Sequence, residues 1–277
     1  MTHLVLTLAF TATVISPSGA VPPNAVDERA WLHDDGVHVY TRFEAAPRVS
    51  FGTFVLNTGL TLARPLQPKP TDAFVIVPAI IAAGLAWNYD VALHDTIRNR
   101  LPDPIVLDHR FSYWLSYGGE GAVDVAIFGL LAMADGKRGE RAALAGMTAL
   151  TAAGVASRVG KVAFRLERPS YDPTEKHLFS DRLTAADSMP SGHTMAAFAT
   201  AAVIAGEYPK FAPFAYGLAT WVAIARVQQS THWVSDTIVG AGMGLLFGWA
   251  AVELTHRVTI SPTASPDGVG AAISGAL

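Results

Sequence analysis

The sequence predicts an all-α fold, an antiparallel bundle of about six core helices embedded in a membrane. Three observations carry this. Apolar residues fill 51% of the 277 positions and charged residues only 16%, against roughly 25% charged in an ordinary soluble domain. Mean hydropathy is +0.31. Six apolar segments, at 73–87, 121–134, 142–157, 194–206, 211–225 and 237–252, are rich in Ala, Leu, Gly and Met. Each is too long for a buried strand, so helix is the better assignment.

Embedding must be weighed against length. A helix of ~15 residues covers about 22 Å, whereas the hydrocarbon core of a bilayer is about 30 Å thick. Several segments must therefore recruit their flanks. Segments 211–225 and 237–252 are apolar on every face, which suits lipid or deep burial. Asp124 interrupts the second segment and needs a partner there. A soluble periplasmic helical domain stays open as the alternative.

Taken in order, residues 1–20 combine a short apolar core with small residues and Pro, which reads as a secretory signal, although no Lys or Arg precedes the core. Residues 21–70 read as a peripheral N-terminal segment containing FGTFVLNTGLTLA at 51–63 and a turn-rich RPLQPKP. The helical domain runs from 71 to 257. A charged excursion at 88–119, holding FSYWLSY and a short amphipathic helix, interrupts it. Residues 258–277 read as a flexible tail. If the signal is cleaved, an outward-facing site needs a seventh crossing, and 51–63 is the candidate. Cys is absent, which excludes disulfides and a thiolate nucleophile. A net charge of −3 offers no basic face for nucleic acid.

Polar residues gather at the ends of the apolar segments. Lys161, Arg165 and Arg168 follow 142–157, and a helix continuing to Pro169 would put them on one face. The plain alternative is a solvated helix end whose cations meet the C-terminal dipole, and Arg165 is left in that class. Pro190, Ser191, Gly192 and His193 precede 194–206, with Ser191 placed to cap the helix. Free N–H groups there, with the flexible Gly192, suit an anion, and His193 could donate a proton. Arg226 ends the fifth segment, His232 follows, and Asp236 lies four residues further on. That spacing lets the carboxylate hold one ring nitrogen while the other stays unprotonated; Asp236 is equally a natural N-cap. The histidines lack a compact ligand pattern for Zn²⁺. Residues 170–189, with Lys176, His177, Arg182, Asp172, Glu175, Asp181 and Asp187, read as a solvated loop positioned to gate substrate access. In an antiparallel bundle these ends share one level, which makes an electropositive pocket with two histidines for a phosphorylated substrate.

These residues resemble the type 2 phosphatidic acid phosphatase (PAP2) family, which includes bacterial acid phosphatases and vanadium haloperoxidases. Its motifs Lys-x6-Arg-Pro, Pro-Ser-Gly-His and Ser-Arg-x5-His-x3-Asp read here as Lys161 to Pro169, Pro190 to His193 and Ala225 to Asp236. The one departure is Ala225 in place of Ser, expected to cost a supporting hydrogen bond but not activity. The resemblance covers roughly 120–255. It implies His232 as the nucleophile, Asp236 as its orienting partner, and His193 as the acid that later activates water. It also implies Lys161, Arg168, Arg226, Ser191 and the Gly192 amide as holders of the phosphoryl oxygens, with no metal and no cofactor. The implied function is a metal-independent phosphatase acting on a phosphomonoester or diphosphate through a phosphohistidine. The expected substrate is a lipid phosphate: an isoprenyl diphosphate, phosphatidate or phosphatidylglycerol phosphate. The expected location is the inner membrane, with a periplasm-facing site. A soluble periplasmic non-specific acid phosphatase and a vanadium-dependent haloperoxidase are the rival readings.

Overall fold

The computed structural model describes residues 51–100, 119, 121–182, 186–265 and 268–275; the signal-like residues 1–20 and the FSYWLSY stretch lie outside them. Seven α-helices occupy the described residues: α1 Phe51–Ala63, α2 Ala73–Arg100, α3 Gly121–Ala134, α4 Gly136–Phe164, α5 Gly192–Glu207, α6 Ala212–Gln228 and α7 Val234–Arg257. The six expected helices are all present. Beyond the bundle, β1 Val258–Ser265 pairs antiparallel with β2 Gly268–Gly275, where the sequence suggested a flexible tail. The β-branched Val258, Thr259 and Ile260 favour an extended start.

Three helices are longer than expected, and this resolves the length difficulty for them. The segment expected to end at Trp87 continues as α2 to Arg100, because no Gly or Pro occurs between Asn88 and Arg100. Residues 88–100 are therefore helix and not a surface excursion. With 28, 29 and 24 residues, α2, α4 and α7 reach roughly 36–44 Å. All three are long and apolar enough to cross a membrane.

Helix α1 packs against α4 and α7, so 51–63 joins the bundle and is not peripheral. It is polar inside and apolar outside. Thr53, Asn57 and Thr61, spaced by four on one face, are buried, while Phe51 and Val55 are exposed. The same inversion recurs on α2 and α3, where Phe74 is 80% and Met133 86% exposed, together with Ile80, Leu85 and Leu130. A soluble protein rarely leaves so broad an apolar surface uncovered. It is the surface of a helix bundle solvated by lipid.

Close helix contact replaces bulky packing in the core, which consists largely of Ala around Phe128, Met195, Val203 and Phe247. Helices α5 and α7 run parallel in the tightest pairing. A Cβ on Gly240 would fall 2.6 Å from the Ser191 carbonyl, on Gly244 2.3 Å from the Met195 carbonyl, and on Gly248 2.5 Å from Ala202 Cβ. This small residue at every fourth position lets the two backbones meet, as in many membrane helix pairs. In consequence the first turn of α5 is locked beside the first turn of α7. Asp124 finds the partner it needs in Thr200 Oγ1, 3.0 Å away on α5.

Candidate active site

Four helix ends converge at one end of the bundle: the C-termini of α4 and α6 and the N-termini of α5 and α7. Lys161 lies in the last turn of α4, but the helix stops at Phe164, earlier than Pro169 suggested. Arg165 takes a left-handed conformation (φ 43°) and its N–H closes on the Lys161 carbonyl. Beyond it the chain pairs with the following loop: Glu167 N–H donates to the His177 carbonyl, and Phe179 and Ser180 N–H donate to Phe164 and Arg165. Arg168 therefore reaches the site from a loop and not from the helical face that 161, 165 and 168 would share. It still meets Lys161, because both engage Asp187. Arg168 Nε and Nη2 lie 2.6 and 2.8 Å from the two carboxylate oxygens. Lys161 Nζ donates to the Asp187 carbonyl at 2.5 Å and lies 3.7 Å from its carboxylate. Arg165 pairs instead with the exposed Asp181.

Ser191 occupies the N-cap position of α5, as expected, but its hydroxyl makes no capping bond to the helix backbone. It meets Thr194 Oγ1 at 2.9 Å, while its own N–H donates to the Asp236 carbonyl at 3.1 Å. Gly192 opens the helix at a close approach: a Cβ there would sit 2.8 Å from Ser157 Oγ on α4. His193 is half-buried in the first turn. A Cβ on Gly119 would come within 2.4 Å of the His193 carbonyl, so a Gly is required where the chain approaches α3.

Arg226 is buried in the last turn of α6 and donates to Gln229 Oε1 at 2.9 Å. The connection to α7 then carries His232 inward, 1% exposed, with Nδ1 3.5 Å from Asp236 Oδ2. Asp236 is not the N-cap. It lies in the first turn, and Oδ2 accepts the Trp233 N–H at 3.0 Å and Ser188 Oγ–H at 2.5 Å. The reach back to the residue before the helix is half of a capping box. Burial, followed by the positive charges of Lys161, Arg226 and Arg168, holds His232 well below the usual imidazole range. The free imidazole is thus neutral, and all three cations act on it at once.

Sequence reasoning missed the support behind His232. Asp90, His94 and Arg98 lie on one face of α2, spaced by four. Asp90 accepts from Ser235 N–H at 2.9 Å and Ser235 Oγ at 2.5 Å, and pairs with Lys176 at 3.0 Å. His94 Nε2 lies 3.0 Å from Ser230 Oγ and its ring meets Trp233 edge-on; Arg98 also bonds Ser230. The polar spacing along an otherwise apolar helix was the available signal. Lys176, lying over the Trp87 ring, ties loop 170–182 to α2, so that stretch is anchored at its centre. Ser188 and Asp187 gave no comparable signal.

The PAP2 superfamily model matches residues 142–260. A lipid A 1-phosphatase of Porphyromonas gingivalis is 37% identical over 84 residues, 29% of this chain and 19% of that protein; the chain thus spans about a fifth of that relative's length. The structure of a transmembrane PAP2 type phosphatidylglycerolphosphate phosphatase from Bacillus subtilis superposes with a TM-score of 0.51 at 17% identity. That match covers 67% of this chain and 96% of the other. For Aquifex aeolicus LpxE the TM-score is 0.49 at 21% identity, covering 59% and 94%. The first structure shares the fold. The family match lies across all three motifs, so residues 142–260 of this chain are similar to the PAP2 superfamily.

Proposed function

We propose that this protein is a metal-independent membrane phosphatase that removes a terminal phosphoryl group from a lipid phosphomonoester or diphosphate through a phosphohistidine at His232. The observation that carries the reading is the buried His232 with Nδ1 3.5 Å from the Asp236 carboxylate, at the end of the bundle where Lys161, Arg168 and Arg226 also lie. With Nδ1–H directed to Asp236, the lone pair is on Nε2. Attack by Nε2 forms a P–N bond as the P–O bond to the leaving group breaks, and His193, entering this step as the imidazolium, gives its proton to the departing oxygen. In the second half His193 takes a proton from water, the water oxygen bonds to phosphorus, and the P–N electron pair returns to Nε2. Lys161, Arg168, Arg226, Ser191 and the Gly192 amide hold the equatorial oxygens, where fixed positive groups offset the charge of phosphoryl transfer. Among the described residues no cluster of three metal-ligating side chains occurs, and the cations fill the place a metal ion takes in other phosphoryl transferases.

The apolar outer surface favours a lipid substrate over a soluble phosphate ester, because the lipid can reach the site from the bilayer. The relatives, a lipid A 1-phosphatase and a phosphatidylglycerolphosphate phosphatase, support the same class. With a cleaved signal and α1 counted as a crossing, the site faces the periplasm. The test is a substrate panel on purified protein in detergent: lipid A, phosphatidylglycerol phosphate, phosphatidate, isoprenyl diphosphates and an aryl phosphate, each with and without EDTA. Preferred release of phosphate from a lipid, unchanged by EDTA, is expected. Activity that EDTA abolishes and Mg²⁺ or Zn²⁺ restores would contradict it, as would preference for soluble esters.

A further inference from the structure

The cationic seat already holds an anion belonging to the protein. Asp187 presents both carboxylate oxygens to Arg168 at 2.6 and 2.8 Å, with Lys161 Nζ 3.7 Å from one of them. A guanidinium receives the oxygens of a carboxylate or of a phosphate through the same N–H donors. We propose that Asp187 is an internal competitor that holds Arg168 and Lys161 until a phosphoryl group displaces it, and so sets the affinity of the site for anions. The inference rests on the assignment of those two residues to phosphate binding.

The surroundings allow the carboxylate to leave while the backbone stays. Ala186 N–H donates to the Arg182 carbonyl and Ser188 N–H to the Leu166 carbonyl, each at 2.9 Å, so the main chain is fixed on both sides. Lys161 keeps its bond to the Asp187 carbonyl wherever the side chain points. The Asp187 side chain is 36% exposed, against 15% and 26% for Lys161 and Arg168. It can therefore swing outward without burying an unpaired charge. A dianionic terminal phosphoryl group, which also bonds the Gly192 end of α5 and Arg226, displaces a single carboxylate. A phosphodiester carries one charge and has two blocked oxygens, so it competes on poorer terms. Asp187 thus lowers affinity by the same factor for every anion that needs Arg168 and Lys161.

Direct binding of inorganic phosphate and of dimethyl phosphate, measured by isothermal titration on the full chain in detergent, tests the proposal. Apparent affinity scales with the fraction of free seat, so a carboxylate in place about nine-tenths of the time predicts about tenfold tighter phosphate binding in Asp187→Asn. Asp187→Ser should move in the same direction, and dimethyl phosphate, if it binds through the same two cations, should gain by a similar factor. In an Arg168→Ala background the Asp187→Asn gain should disappear. Unchanged or weaker phosphate binding in both Asp187 variants would overturn the proposal, because the carboxylate would then only be holding Arg168 in place. An equal gain with and without Arg168 would also overturn it, leaving a through-space charge effect. If neither the wild type nor the Asp187 variants bind phosphate, the phosphate-pocket assignment itself fails.

Discussion

Replacing Asp236 separates its part in the chemistry from its part in the fold. One oxygen, Oδ2, accepts Ser188 Oγ–H at 2.5 Å and Trp233 N–H at 3.0 Å, and lies 3.5 Å from His232 Nδ1. An Asn in the same pose keeps an oxygen for the Ser188 and Trp233 donors but loses the charge beside His232 Nδ1. His232 gains positive character as it bonds to phosphorus, so the carboxylate stabilises the transition state more than the ground state. A hydrogen bond to a charged group is worth about 1.5–3 kcal/mol, which converts to roughly a 10- to 150-fold loss of kcat. Asp236→Ala behaves differently. It leaves the buried Ser188 hydroxyl and Trp233 amide without an acceptor, at about 1–3 kcal/mol each, and should lower the melting temperature as well as the rate. Single-turnover phosphoenzyme formation from an aryl phosphate, with thermal unfolding measured on the same samples, reads both effects. An Asn variant as fast as wild type would refute the orienting role. An Ala variant as stable as wild type would refute the structural one.

His193→Ala should split substrates by leaving group: about 10²–10⁴-fold slower with a lipid alkoxide, near-normal phosphoenzyme formation with an activated aryl phosphate, and slow breakdown in either case. Equal losses in both formation rates would contradict its role as an acid. Because burial and three cations hold the His232 pKa below its ordinary value, its ring should stay neutral as pH falls through the ordinary imidazole range, as read by ¹⁵N NMR of histidine-labelled protein. Titration near the usual value of about 6.5 would show the charges placed wrongly. Gly244→Leu forces side-chain atoms against the Met195 backbone and should cost about 1–3 kcal/mol of stability. Gly154→Ala, with open space around it, should cost nothing, and comparable losses in both would refute the close α5–α7 contact.

The spacing within the three motifs made most of the site legible, because each motif lies within one helix end and its connection. His232 and Asp236 are four apart on a turn, and Ser191 to His193 open a helix, so local geometry brings them together. Arg168 was harder. Its meeting with Lys161 depends on the left-handed Arg165 and on hydrogen bonds to residues 177–188, which helical periodicity does not report. Asp187 looked like one acid among several in a solvated loop, and only the fold shows that its carboxylate meets Arg168. The support from α2 was hidden for a related reason: Asp90, His94 and Arg98 fall within 88–119, taken as a charged excursion, although their spacing by four marks one helical face. Helix α1 was misplaced because its buried residues are the polar ones, an inversion that makes sense only once its outer face meets lipid.

The central claim is that His232 becomes covalently phosphorylated. Rapid-quench reaction with ³²P-labelled aryl phosphate, followed by alkaline work-up, proteolysis and mapping of the labelled peptide by mass spectrometry, tests it most directly. The label should be acid-labile, lie on His232, build up further in His193→Ala, and be absent from His232→Ala. Label on His193, or label of normal intensity on the His232→Ala protein, would show that nucleophile and acid have been exchanged or that another residue attacks phosphorus.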